Sequence, residues 1–225
     1  MPGKNWKLSP SDFAFLWEEC KCCFYQKVAK GFLRPRPIMP KIFNVIDSQM
    51  KAHYQGKRTS DIAAGLPKGI NHLSDQWVES VPLSFKKGSS TCFIKGKLDT
   101  CLKFDDGSYG VVDFKTSSTK DDHLPLYSRQ LHAYALALEN AAPGALSLSP
   151  ISRLGLLVFE PTAFSSLRGG PASLMGKLQW VEISRNDKFF REFLSELLAV
   201  LALPKAPPSS AGCEWCAYHE RIRAL

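Results

Sequence analysis

A mixed α/β fold, with a central mixed sheet flanked by helices, is what the sequence predicts, and three observations predict it. Apolar residues recur at helical spacing near both ends, the middle of the chain switches to shorter runs of strand character, and 225 residues at 44% hydrophobic content can bury one core. The same composition excludes a disordered chain, a collagen and a disulfide miniprotein.

The first helix is read from Ser9 as N-cap, Pro10 in the first turn and Asp12 three residues after the cap, with Phe13, Leu16, Trp17 and Phe24 as its core face. Gly31 and the run Arg34-Pro35-Arg36-Pro37 end it. A second helix spans Lys41 to Tyr54, with Ile42, Val45, Ile46 and Met50 as its apolar face. After a polar connection, Val78 to Phe85, Cys92 to Phe104 and Tyr109 to Thr116 read as strands. The last two are joined by the turn residues Asp105-Asp106-Gly107. A helix from about Leu126 to Asn140, strands Ile151 to Phe159 and Leu178 to Ile183, and a helix from Asn186 to Leu203 complete the order. Pro204 stops the last helix, and Pro207 to Ser210 lead into a short cysteine-bearing tail. The expected organisation is one domain over 1–225: a basic helical lobe at 1–60, a core at 77–203, and a tail at 204–225 that packs back on the first helix.

Charge is uneven along the chain. The net charge is +8, and residues 1–60 alone hold eleven basic against four acidic residues. Such a lobe suits a polyanion, with Arg34 and Arg36 as candidate phosphate contacts, so nucleic acid is the expected partner. The longest apolar stretch, Leu197 to Leu203, is far short of a membrane span, and Met1 to Lys7 contains no apolar leader. A cytoplasmic location is therefore expected, with the seven cysteines as thiols or metal ligands.

The most informative stretch is Gly96-Lys97-Leu98-Asp99 followed by Val111-Val112-Asp113-Phe114-Lys115. In a hairpin symmetric about Asp106, opposed residues have numbers summing to 212, which pairs Asp99 with Asp113. Lys115 then shares their face, while Leu98, Val112 and Phe114 point to the other. Two carboxylates at that distance repel unless a cation lies between them, and hard oxygen ligands suit Mg²⁺ or Mn²⁺. Downstream, Gln130 and Tyr134 stand at i and i+4 on one helix face.

This ordered set (Gly-x-x-Asp, Asp-x-Lys ending a strand, Gln-x-x-x-Tyr on the next helix) resembles the PD-(D/E)XK nuclease superfamily, which has a restriction-endonuclease-like core. The opening Leu-Ser-Pro-Ser, Cys20 and the segment Cys23-Phe24-Tyr25 are similar to its RecB-like branch, which includes the iron–sulphur exonucleases of CRISPR adaptation. The resemblance implies Asp99 and Asp113 as metal ligands, Lys115 as catalytic, and Gln130 and Tyr134 as supports of the site or contacts to the strand. It implies a Mg²⁺- or Mn²⁺-dependent deoxyribonuclease acting on DNA ends or single strands, and protein partners of a repair or CRISPR-adaptation complex. The alternative is a catalytically weak nucleic-acid-binding or adaptor module that keeps the fold. Many relatives carry a metal-binding His in Gly-x-x-x-His on an early helix. This chain has none, and neither His53 nor Asp47, the nearest substitutes, sits in such a motif.

Cys20 and Cys23, and again Cys213 and Cys216, have Cys-x-x-Cys spacing, so together they can supply four soft ligands to one centre. The resemblance favours a 4Fe–4S cluster, and the thiolates equally permit Zn²⁺, with His219 as a replacement ligand. Cys92 and Cys101 read as small buried hydrophobes. Neither a phosphate-binding loop nor a nucleophile elbow is present, because Leu178 stands where a phosphate loop needs Ser or Thr and Gly-x-Ser-x-Gly does not occur.

Overall fold

The computed structural model describes residues 3–35, 40–85, 90–116 and 124–224. Strand β1 (Asn5–Leu8) opens them and pairs in parallel with the strand that carries Cys92, although no strand was legible there. A π-helical turn (Asp12–Leu16) and the three-residue α1 (Trp17–Glu19) follow, and α2 (Lys21–Lys30) begins after Cys20. The helix read as continuous to Gly31 is thus broken at Cys20, whose backbone is extended (φ −164°, ψ 109°). That conformation makes Cys20 the N-cap residue of α2, with its sulfur 3.8 Å from that of Cys216. Ser9 is not a side-chain cap; its carbonyl accepts the Asp12 N–H at 3.0 Å. Phe13, Trp17 and Phe24 are buried as expected, and Gly31 closes α2 in the left-handed region at φ 71°. Arg36 and Pro37 lie outside the described residues.

Helix α3 (Lys41–Tyr54) has the expected bounds, but its apolar face is covered only toward its C-terminal end. Met50 and Tyr54 pack against the sheet, whereas Ile42 and Val45 are exposed. Strand β2 (Gly69–Glu79) starts well before the expected Val78, and Pro82 separates it from the short β3 (Leu83–Ser84). Then come β4 (Thr91–Phe104), β5 (Tyr109–Thr116), α4 (Leu124–Glu139), β6 (Ile151–Ser166), β7 (Ala172–Ile183) and α5 (Asp187–Leu201). Asn186 caps α5 by accepting the Phe189 N–H at 3.0 Å. The tail forms a further helix, α6 (Glu214–Arg223), with Cys213 as its N-cap residue.

Among the described residues, seven strands make one mixed sheet in the order β1-β4-β5-β6-β7, with β2 and β3 also paired to β4. Strands β5 and β6 are parallel, and α4 is their crossover. The larger apolar cluster joins the sheet to α4, α5 and the π-helical turn through Leu98, Val111, Leu131, Leu154, Phe190 and Phe13. A smaller cluster of Ile62, Leu102, Phe104, Val112, Phe114 and Leu157 faces α3. Contrary to the simple alternation read from the sequence, Leu98 therefore does not share a cluster with Val112 and Phe114. The recorded β4–β5 pairing begins only at Thr100, so alternation across the hairpin does not carry to Leu98. The buried His132 fastens α4 to the start of α5. Its Nδ1–H donates to the Ser128 carbonyl and its Nε2 accepts the Asn186 N–H, both at 2.7 Å.

Candidate active site

The hairpin register is the predicted one. Thr100 pairs with Val112, Cys101 with Val111, Leu102 with Gly110 and Lys103 with Tyr109, so every pair sums to 212. Asp99 and Asp113 stand at the next position, where the ladder ends. There the Phe114 N–H donates to Asp99 Oδ2 at 3.2 Å. The neighbouring pair adds a third acid. Ser74 pairs with Thr100 and Gln76 with Leu98, which sets Asp75 opposite Asp99. Asp75 has φ 56°, an uncommon left-handed conformation for a residue with a side chain. Three adjacent strands thus present one aspartate each in a single row.

Asp113 is buried and ion-paired to Lys115, and Gln130 Nε2 donates to its Oδ1 at 3.5 Å. Burial pushes the Asp113 carboxyl up to about 7, opposed by the Lys115 ammonium and reinforced by the nearby Asp99 charge. Lys115 Nζ also sits 4.8 Å from the centre of the Tyr127 ring. Burial lowers the Lys115 pKa, but the Asp113 charge and hydrogen bond together with the Asp99 charge outweigh it, and the net shift is upward. Gln130 is buried, and its Oε1 has no hydrogen-bond partner among the described residues.

Tyr134 lies beside this group without facing solvent. Its hydroxyl donates to the Lys97 carbonyl at 2.7 Å and thereby holds the strand that carries Asp99. The Pro10 ring explains the glycine of Gly-x-x-Asp, with Tyr134 adding a tight contact: a Cβ on Gly96 falls 2.8 Å from Pro10 Cδ and 3.3 Å from Tyr134 Cε1. Tyr134→Phe, which leaves the Lys97 carbonyl short of a donor, is expected to cost about 1 kcal/mol in a denaturant melt.

Sequence reasoning missed Lys51. Its side chain is 7% exposed, and its ammonium lies 2.8 Å from Asp47, 2.9 Å from Asp99 and 3.3 Å from Asp75. Those three acids come from α3, β4 and β2, so the lysine ties three elements at one point. Burial lowers the Lys51 pKa less than Asp47 and Asp99 raise it, and the net shift is upward. Asp47, unassigned from sequence, therefore faces the site. His53 is exposed, within 2.8 Å of Lys57 Nζ, and does not. Only the spacing Asp47 to Lys51, one helical turn, was available as a signal, and it reads as an ordinary helix pair.

Asp99, Asp113 and the unpartnered Gln130 oxygen are hard oxygen donors, the ligand chemistry that suits a divalent cation, and Lys51 and Lys115 hold the two carboxylates. The cysteines make a second, soft set elsewhere in the molecule. The sulfurs of Cys20, Cys23, Cys213 and Cys216 all lie within 4.8 Å of one another and can hold a metal. His219 packs its ring against Phe32, 5.7 Å away, and is not part of that group. Cys92 and Cys101 are buried in the core.

The basic lobe is less available than its charge count suggests. Lys21 pairs with Glu196, Lys27 with Asp12, Arg34 with Glu19, and Arg58 with Asp105. Arg34 also donates to Cys213 Sγ at 3.3 Å, so it belongs to the cysteine group and not to a phosphate surface.

The family model of the PD-(D/E)XK nuclease superfamily matches residues 36–221. A solved structure described as "Crystal structure of SSO0001" aligns with a TM-score of 0.45 at 13% sequence identity, covering 89% of this chain and 79% of that one. No curated protein matches.

Proposed function

The chain belongs to the PD-(D/E)XK nuclease superfamily, whose members hydrolyse phosphodiester bonds with divalent metals, and from that premise we propose that it is a Mg²⁺- or Mn²⁺-dependent deoxyribonuclease. The observation that carries the reading is the hairpin register that stands Asp99 beside Asp113, with Lys115 paired to Asp113. A bound divalent ion supplies polarisation of the phosphoryl oxygen and a water of lowered pKa. The chain's own residues do the rest. Asp99 and Asp113 offer carboxylate oxygens, and the Phe114 amide fixes the orientation of Asp99. Gln130 holds Asp113, and Lys115 keeps its proton and places positive charge where negative charge develops on the phosphate. Tyr134 positions the Asp99 strand through the Lys97 carbonyl.

The organisation we propose is a single nuclease-like domain with an N-terminal basic lobe at 1–60 and a cysteine-bearing tail at 204–225. Its catalytic core is taken from Gly69, not 77, because Asp75 stands in the row beside Asp99. Action on DNA ends or single strands, in repair or CRISPR adaptation, rests on the resemblance alone. Labelled linear and circular DNA, single- and double-stranded, incubated with Mg²⁺ or Mn²⁺ and with chelator, tests the proposal. Metal-dependent cleavage of linear but not circular substrate is expected. Binding without any cleavage contradicts the enzyme and leaves an adaptor module. Binding should also weaken steeply as salt rises, since phosphate contacts release counterions.

A further inference from the structure

We infer that Cys20, Cys23, Cys213 and Cys216 hold a single tetrahedrally coordinated zinc ion and not a 4Fe–4S cluster. The inference concerns the cysteine group alone and stands apart from the hydrolytic reading.

Cys23 Sγ lies 3.5 Å from Cys216 Sγ and 3.7 Å from Cys213 Sγ, and Cys20 Sγ lies 3.8 Å from Cys216 Sγ. Zinc–thiolate bonds of about 2.3 Å in a tetrahedron set the sulfurs about 3.8 Å apart. In a 4Fe–4S cube each thiolate binds a different iron, so the four sulfurs stand on a wider tetrahedron, with edges of roughly 6 Å. No pair here exceeds 4.8 Å. One ion fits between these sulfurs, and a cube with its inorganic sulfides does not.

The ligand set is also symmetric. Cys20 is the N-cap residue of α2 and Cys213 the N-cap residue of α6, both with extended backbone. In each, the carbonyl of the first cysteine accepts the N–H four residues on, from Phe24 and from Ala217, both at 3.0 Å. Two equivalent Cys-x-x-Cys starts of ten-residue helices therefore meet face to face, the paired arrangement that reads as a zinc site. Four thiolates around Zn²⁺ carry a net negative charge. The positive ends of both helices offset it, as does the Arg34 guanidinium donating to Cys213 Sγ at 3.3 Å.

The full chain, purified once in air and once without oxygen, tests this by elemental analysis, acid-labile sulfide and visible absorbance. One zinc per chain in both preparations, no sulfide and no colour are expected. Cys22→Ser is expected to keep its zinc, because Cys22 is outside the four. Cys216→Ser is expected to lose it; should that variant not fold, a zinc-sensitive dye with a thiol-modifying reagent reads release from the native chain. About four irons with matching sulfide in the oxygen-free preparation overturn the inference. Iron in place of zinc, or a folded metal-free chain with its sulfurs in disulfides, does so equally. None of these readouts depends on DNA cleavage.

Discussion

Asp113→Asn is expected to lower metal-dependent DNA cleavage about a hundredfold or more while leaving the melting temperature close to that of the parent. The substitution keeps the shape of a buried side chain and the contact from Gln130, and it removes only the charge. In the proposed reaction that loss would remove a ligand of the divalent ion, and it frees Lys115 from its partner. Asp99→Ala and Lys115→Ala are expected to fall by comparable factors. Because the three act as a unit, the double variant Asp99→Ala with Asp113→Asn should be hardly worse than either single one. Robust cleavage by Asp113→Asn contradicts the site.

Lys51→Met should produce the largest loss of stability of any single change near the site. Its ammonium is the shared cation of Asp47, Asp75 and Asp99, and its removal leaves like charges facing one another. Breaking a buried pair costs about 3–5 kcal/mol; the three acids are partly exposed here, so about 2–3 kcal/mol is expected. The diagnostic feature is rescue. Mg²⁺ or Mn²⁺ should raise the melting temperature of Lys51→Met more than that of the parent, since the ion replaces the missing positive charge. Equal shifts in both proteins contradict the placement of Lys51 among the metal-seeking carboxylates.

The parts of the fold legible in the sequence were those set by local chemistry. The Asp105-Asp106-Gly107 turn fixes the β4–β5 register, and with it the relation of Asp99 to Asp113. The bounds of α3 likewise follow from a local signal, the periodic apolar residues within it. What escaped depends on partners distant in sequence. β1 is a strand only because the start of β4 accepts it, and the break at Cys20 coincides with the approach of cysteines about 190 residues away. The exposed half of α3 shows the same limit: periodicity marks Ile42 and Val45 as a face without saying whether anything covers it. Lys51 was invisible for a related reason, because its contacts with Asp75 and Asp99 come from two strands distant in sequence. Asp75 was lost when its segment read as polar connection and not as strand.

Hydrolysis of DNA by the Asp99, Asp113 and Lys115 group with a divalent metal is read from a single titration. The full chain is stripped with chelator, then supplied with Mg²⁺ or Mn²⁺ in steps, and the cleavage rate of end-labelled DNA is followed beside Asp113→Asn. No cleavage in chelator, a rate that rises and saturates with added metal, and a flat trace near zero for the variant are expected. Cleavage that persists in chelator, or equal rates in parent and variant, contradicts that assignment.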